Sequence, residues 1–383
     1  MLIPRPTLIR RIAAALDASP SRIPVLLGGC GTGRTTLLHQ LRDHVGRGTA
    51  QYVNVERTAT TPERFLRAVA VPSPFPAVDQ SVRSTREAFE QTLAFLLRAR
   101  TGGDQPATFF LDEFLELRTF ESFPGLRRVL RELVDGLMAS PNRFVLTSRY
   151  TARTLRLLRD RSSRFEIVHV PPLSVQDTLD VLGAAAGPPR TADAHDAEYL
   201  ARTIQRLADG RPSYVRAIAD ELAAQRLQGG GDALSAFAAT LATDGRLCAQ
   251  CNHCYELRLH RARGYGALKA ILEILAEEEG LTLTEISRRL RRTPGSTKDY
   301  LSWLEDVDLV SARQKRYAFT DPLLRVWVRL HCRASAPAED DVAREVHRYA
   351  LPRVPDAEST PAMAGAGHAA PEGKKPWGII EID

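Results

Sequence analysis

Nothing in the 383-residue chain approaches the ~20 consecutive apolar residues that cross a bilayer, so a membrane-spanning helix is excluded. The opening MLIPRPTLIRR lacks the long apolar segment of a secretory signal, and a cytoplasmic protein with no membrane partner is expected. Cysteine is scarce: Cys30, Cys248, Cys251, Cys254 and Cys332 are too few and too clustered for a disulfide framework, which leaves metal ligation or free thiols. Lysine is scarcer still for its class, five of the 52 Lys and Arg residues (269, 298, 315, 374 and 375). Skewed base composition produces such an imbalance by itself, so the net charge of +6 suits a nucleic-acid partner only where that charge clusters. What the chain does have, 44% hydrophobic residues over this length, is enough for two or three ordinary globular cores.

The organising stretch is residues 23–38, IPVLLGGCGTGRTTLL. A short apolar run suited to a buried parallel strand breaks into glycines and then resumes at helical spacing. Glycine lets the backbone curl until successive N–H groups point into one concavity, and the following helix aims its positive dipole end at the same spot. Gly28 and Gly33, with four residues between them, match G-x-x-x-x-G-K-[ST] at every defined position but one. Gly28, Gly29, Gly31, Thr32, Gly33, Arg34, Thr35 and Thr36 are therefore the expected phosphate cradle, with Thr35 as the Mg²⁺-side hydroxyl. The exception is Arg34, where the motif has lysine; it keeps the charge but replaces a compact ammonium with a wide planar fork.

Residues 108–113 (TFFLDE) read as a hydrophobic strand ending in two acids, which places both carboxylates at the carboxyl edge of a parallel sheet. In P-loop enzymes the first acid orders the Mg²⁺ shell and the second polarises the attacking water; Asp112 and Glu113 take those roles. A further strand, 143–146, ends in Thr147-Ser148-Arg149, polar groups placed to reach a γ phosphate or to position water. Thr147 and Arg149 thus join Glu113 and Arg34 as candidate catalytic residues, although Thr and Ser would equally cap a strand-to-helix turn. Residues 6–16, 61–70 and 84–100 read as helices, and 51–56 and 165–170 as strands. Ser174 with Asp177 forms a capping box that opens a helical region reaching about residue 227.

The phosphate loop, Leu111-Asp112-Glu113, Thr147-Ser148-Arg149, Pro171-Pro172-Leu173-Ser174 and Gly210-Arg211-Pro212 together resemble the AAA+/STAND group of ATPases. In particular they resemble the archaeal-type P-loop ATPases with a C-terminal winged helix, over about residues 1–333. The resemblance implies an α/β fold: a P-loop NTPase core (1–172) on a five-stranded parallel sheet with the phosphate-loop strand central, and a helical lid (173–228) over the nucleotide. It implies ATP and Mg²⁺ as cofactors and a basic lid residue that senses nucleotide, for which Arg211 and Arg216 are the candidates. The family's lysine is missing at position 34, which leaves hydrolysis less secure than binding.

Residues 229–262 read as a linker. Gly229-Gly230-Gly231 is a flexible break by composition. Cys248-x-x-Cys251-x-x-Cys254 follows, and three thiolates with His253, His260 or the distant Cys332 would complete a four-ligand Zn²⁺ site. A bacterial iron–sulfur run needs a further cysteine at position 258, which is arginine. Otherwise the thiols lie along one helix and pack as small apolar groups.

Residues 263–333 read as a winged helix-turn-helix: a helix over 268–275, a second capped by Thr282 with Glu285, a third opened by Thr293-Pro294, and a hairpin over 309–319. Double-stranded DNA is the expected partner, met by Arg291, Arg292, Ser296, Thr297 and Lys298 at the turn and recognition helix and by Arg313, Lys315 and Arg316 on the wing. Asp299, Glu305 and Asp306 on the same helix suit a protein-docking module instead. Residues 334–383 are expected to be mostly disordered, apart from a short helix near 341–349. They end in PWGIIEID, an apolar, β-prone segment able to add a strand to a partner protein's sheet.

These readings converge on an ATP-binding, ATP-hydrolysing switch that controls a DNA-binding winged helix, with self-association into a homo-oligomer left open. Two rivals stand beside it: a non-hydrolysing nucleotide-binding adaptor that docks proteins, and a metal or redox sensor acting through the cysteines.

Overall fold

The computed structural model describes residues 5–76, 81–159, 164–186, 194–259, 262 and 264–354; the PWGIIEID segment and His260 lie outside the described residues. Strands β1 (Ile23–Leu27), β2 (Ala50–Asn54), β3 (Thr108–Asp112), β4 (Arg143–Ser148) and β5 (Phe165–His169) pair in parallel in the order β2-β3-β4-β1-β5. Every residue of β1 and β3 is buried, as expected of a parallel sheet covered on both faces. The period-2 alternation of side chains divides the core. Leu26, Phe110 and Val145 face helices α1 (Pro6–Asp17) and α2 (Arg34–Val45). Val25, Phe109, Leu111, Phe144 and Leu146 lie on the other side, with the short α3 (Val55–Thr58), α4 (Pro62–Ala70), α5 (Thr85–Arg98), a 3₁₀ segment Phe114–Ser122, α6 (Val129–Ala139) and α7 (Thr151–Leu158).

The phosphate-loop strand β1 is interior, between β4 and β5, but the middle of the sheet is β4. This corrects the expected central place of β1 and has a consequence for the site: the polar end of β4 stands between the phosphate loop and the acids of β3.

Helices α8 (Val175–Ala186), α9 (Ala194–Leu207) and α10 (Pro212–Leu227) make up the helical region expected to be the lid. The Ser174–Asp177 box is made, with Asp177 Oδ2 accepting from the Ser174 N–H and hydroxyl, each at 2.8 Å. The linker reading holds only for the glycines, because Asp232 caps α11 (Ala233–Leu241), and α12 (Arg246–Leu259) follows. Phe237 of α11 and Leu247 of α12 share a core with Tyr214, Val215 and Ile218 of α10, so the hydrophobic lid continues through the segment.

The winged helix consists of α13 (Tyr265–Glu277), β6 (Leu281–Thr282), α14 (Leu283–Leu290), α15 (Pro294–Asp306), β7 (Val310–Arg313), β8 (Arg316–Phe319) and α16 (Pro322–His331), with strand order β6-β8-β7. Thr282 and Glu285 form the capping box, and Thr293 caps α15. The helix expected near 341–349 extends over α17 (Glu339–Ala350) and buries Val342, Val346 and Tyr349 in the lid core, with the Tyr349 ring 5.6 Å from Phe237. That part of the tail is therefore folded, because an amphipathic face has an apolar surface to cover.

Candidate functional site

The phosphate loop turns through two left-handed glycines, Gly31 (φ +79°) and Gly33 (φ +84°). A Cβ at Gly31 would lie 2.3 Å from the Ser213 hydroxyl, so both conformation and space require glycine there. The Thr32 hydroxyl donates to the Gly29 carbonyl at 2.9 Å and the Ser213 N–H to the Gly31 carbonyl at 3.2 Å, which holds the loop against the start of α10. Between them opens a cavity of 360 Å³ lined by Gly29, Gly31, Thr32, Gly33, Arg34, Thr35 and Thr36 on one side and Pro212, Ser213 and Arg216 on the other. Gly28 is not in the lining; a Cβ there would meet the Thr32 hydroxyl at 2.8 Å.

The acids of β3 reach this cradle through hydrogen bonds. Asp112 Oδ2 accepts from the Thr35 and Tyr52 hydroxyls, each at 2.8 Å, and Oδ1 accepts from the Thr147 hydroxyl. Thr147 in turn accepts from the Glu113 N–H at 2.9 Å, so the β4 tip fixes both acids. Glu113 stands in the left-handed region (φ +58°) and is 5% exposed. Its Oε1 accepts from Arg34 Nη2 at 2.5 Å, and its Oε2 accepts from the Arg149 N–H at 3.0 Å with Arg149 Nε at 3.2 Å. Burial pushes the Glu113 carboxyl up, but Arg34 and Arg149 together outweigh it and hold the group below its ordinary range. Arg34 Nη1 also donates to the Gly29 carbonyl at 2.9 Å. The fork thus bridges loop and acid at once, which a lysine's single ammonium could not reproduce with the same geometry.

The two lid arginines separate by role. Arg216 lines the cavity, with Asp220 3.9 Å from its Nε. Arg211 instead points its Nη1 at the Cys30 carbonyl (3.1 Å) and at Asp321 Oδ2 (2.6 Å), with side chains only 10% and 5% exposed. The Tyr214 hydroxyl donates to the same Asp321 oxygen at 3.0 Å, while Asp321 Oδ1 accepts the N–H groups of Leu323 and Leu324 and so caps α16. One guanidinium joins phosphate loop, lid and winged helix.

The cysteine cluster does not converge. Trp327 Nε1 donates to Cys248 Sγ at 3.3 Å, which commits that thiol to the winged helix. Among the described residues no group of three or more His, Cys, Asp or Glu is arranged to hold a metal ion. The zinc reading of Cys248, Cys251 and Cys254 therefore finds no support among the described residues.

On the winged helix, Arg291, Arg292, Lys298, Arg313, Lys315 and Arg316 are exposed and Ser296 is half-buried. Thr297 is fully buried and its hydroxyl donates to the Thr293 carbonyl at 2.9 Å, which removes it from a nucleic-acid interface. The acids that argued against DNA divide: Asp299 is exposed, whereas Asp306 pairs with Arg156 of α7. Asp308, just beyond α15, accepts the N–H groups of Thr151 and Ala152 and caps α7 from another domain. Asp321, Asp308, Tyr52 and Tyr214 were not identified as site residues from the sequence. Only Asp321, followed by Pro322, carried a local helix-start signal, because the others act through partners more than 50 residues away.

Residues 267–310 match the family described as winged helix-turn-helix DNA-binding. Among solved structures, a Walker-type ATPase of Pyrococcus abyssi matches with a TM-score of 0.62 at 15% identity, covering 85% of this chain and 96% of its own. The Orc1 protein of Aeropyrum pernix in complex with DNA matches at 0.46 and 18% identity over 92% and 95% of the two chains. Cdc6p of Pyrobaculum aerophilum matches at 0.42 and 14% over 93% and 96%. A comparison with curated proteins found no match.

Proposed function

We propose that this chain, which has the fold of a Walker-type P-loop ATPase with a C-terminal winged helix-turn-helix, is an ATP-dependent switch whose nucleotide state sets how the winged helix meets double-stranded DNA. The observation that carries the reading is Arg211, bonded at once to the Cys30 carbonyl of the phosphate loop and to the cap of α16. Phosphates would lie on the loop N–H groups at the start of α2, with Arg216 as the lid's cation. The Thr35 hydroxyl and Asp112 carboxylate, hard oxygens 2.8 Å apart, fit a magnesium ion, which would neutralise phosphate charge when bound. Glu113 is the base for the attacking water once Arg34 turns from it to the phosphates, with Thr147 and Arg149 keeping the carboxylate oriented. The same double ion pair on Glu113 favours a second reading, a protein that binds nucleotide without hydrolysing it.

Nucleotide binding and turnover, with and without duplex DNA, separate these readings. The switch requires turnover by the wild type, a fall of about 10² or more in Glu113→Gln with binding retained, and different DNA affinities with ATP and ADP. Binding without turnover in the wild type selects the adaptor. Absence of ATP binding would eliminate both.

A further inference from the structure

Helix α7 starts without a cap of its own. The first four N–H groups of a helix have no partner within it, and Tyr150, which precedes α7, makes no side-chain hydrogen bond to them. Two are answered from the winged helix: Asp308 Oδ2 accepts from the Thr151 N–H, and Oδ1 accepts from the Ala152 N–H at 3.3 Å. Two residues before Thr151 stands Arg149, whose N–H donates to Glu113 Oε2 at 3.0 Å and whose Nε lies 3.2 Å from the same oxygen. The stretch between these contacts has no slack. The Tyr150 N–H donates to the Ser148 hydroxyl at 3.0 Å, and the Tyr150 carbonyl accepts from the Thr154 N–H at 3.0 Å and hydroxyl at 2.7 Å. Tyr150 is 7% exposed and Arg149 5%, so packing fixes them as firmly as hydrogen bonding does.

Asp308 is itself well anchored. It lies two residues beyond α15 in the left-handed region (φ +53°), its N–H donates to the Glu305 carbonyl at 3.0 Å, and Val307 and Leu309 on either side are buried. Asp306, at the end of α15, adds an ion pair with Arg156 of α7, but those side chains are 24% and 55% exposed and solvent weakens the pair. We propose that Asp308 is a positioning residue for Glu113: by seating the start of α7 it sets the Arg149 N–H against the Glu113 carboxylate, so that the winged helix completes the geometry of the ATPase core. The proposal rests on the reading of Glu113 as the base for the attacking water. A base must be aligned as well as ionised, since a displacement of about 1 Å costs on the order of 10²-fold in rate. Asp308 touches no reacting atom and acts through three residues of backbone.

The test is steady-state ATP hydrolysis by the full chain as wild type, Asp308→Gly, Asp308→Asn and Arg156→Ala. Glycine removes the carboxylate without strain at a positive φ, while asparagine tolerates that conformation and keeps one acceptor oxygen. Asp308→Gly should lower kcat about tenfold with KM for ATP changed by less than about twofold, because Asp308 is not among the residues lining the cavity. Asp308→Asn should recover most of the lost kcat, and Arg156→Ala should keep kcat within about twofold of wild type, as an exposed pair allows. Amide exchange without nucleotide should quicken at Arg149 as well as at Thr151 in Asp308→Gly. A kcat left intact by Asp308→Gly, an equal loss in Arg156→Ala, or quickened exchange at Thr151 alone would overturn the proposal while the ATPase reading stands. A wild type without turnover would overturn that reading, and the proposal with it.

Discussion

Replacing Asp321 by asparagine tests the joint between nucleotide site and winged helix most directly. The amide oxygen can still accept the Leu323 and Leu324 N–H groups, so the cap of α16 survives, but the charge opposite Arg211 is lost. Charges about 4 Å apart at an effective dielectric of ~20 attract by about 4 kcal/mol, and removing one member of a buried pair costs about 3–5 kcal/mol. Arg211 would keep only the Cys30 carbonyl and a half-exposed Asp209, whose carboxylate is 3.8 Å from Nε. Arg211→Met should cost less, nearer 3 kcal/mol, because Asp321 retains the Tyr214 hydroxyl and two backbone N–H groups. The double variant should recover about 2 kcal/mol of the summed losses. Urea unfolding of the four proteins measures the cycle, and DNA affinity in ATP and ADP measures the joint's function, which either single variant should level. Losses that add within about 0.5 kcal/mol would refute a working ion pair, and an unchanged ATP-to-ADP contrast in DNA affinity would refute its role as the link.

Other expectations follow from the same geometry. Arg34→Lys, which can no longer bridge Gly29 and Glu113, should raise ATP turnover by about tenfold, the equivalent of one charge-assisted hydrogen bond of roughly 1.5 kcal/mol released from the base; turnover at or below wild type counts against that restraint. Because the Glu113 pKa is depressed in the fold, its pairing stabilises above the unfolded value of about 4.3 and is lost as pH falls towards the folded value. The urea-midpoint gap between wild type and Glu113→Gln should therefore close in acid, and a gap constant from pH 7 to 3 would contradict the assignment. Arg313→Ala with Lys315→Ala should weaken duplex DNA binding and flatten its dependence on log salt by about one per phosphate contact removed, whereas an unchanged slope would place the DNA elsewhere.

Local chemistry made much of this protein legible. The G-x-x-x-x-G spacing, the apolar run into Asp112-Glu113, and the caps Ser174, Thr282 and Thr293 each act within a few residues, so their elements appear close to where the pattern puts them. The three cysteines of α12 misled because their spacing is a property of the chain and their convergence is not; thiols three residues apart on a helix meet one ion only if the surroundings bring a fourth ligand to it. Thr297 misled for a related reason, since a polar residue on a recognition helix can satisfy itself on the preceding turn and face inward.

The sequence by itself determined the phosphate loop, the paired acids and the winged-helix elements, because hydrophobic period, glycine conformation and capping are read over a few residues. Tertiary structure alone decided who answers whom: Arg34 with Glu113, Arg211 with Asp321, and Asp308 with the start of α7. Those partners are separated by 79 to 157 residues, and a buried charge takes its state from whatever the folded chain places beside it.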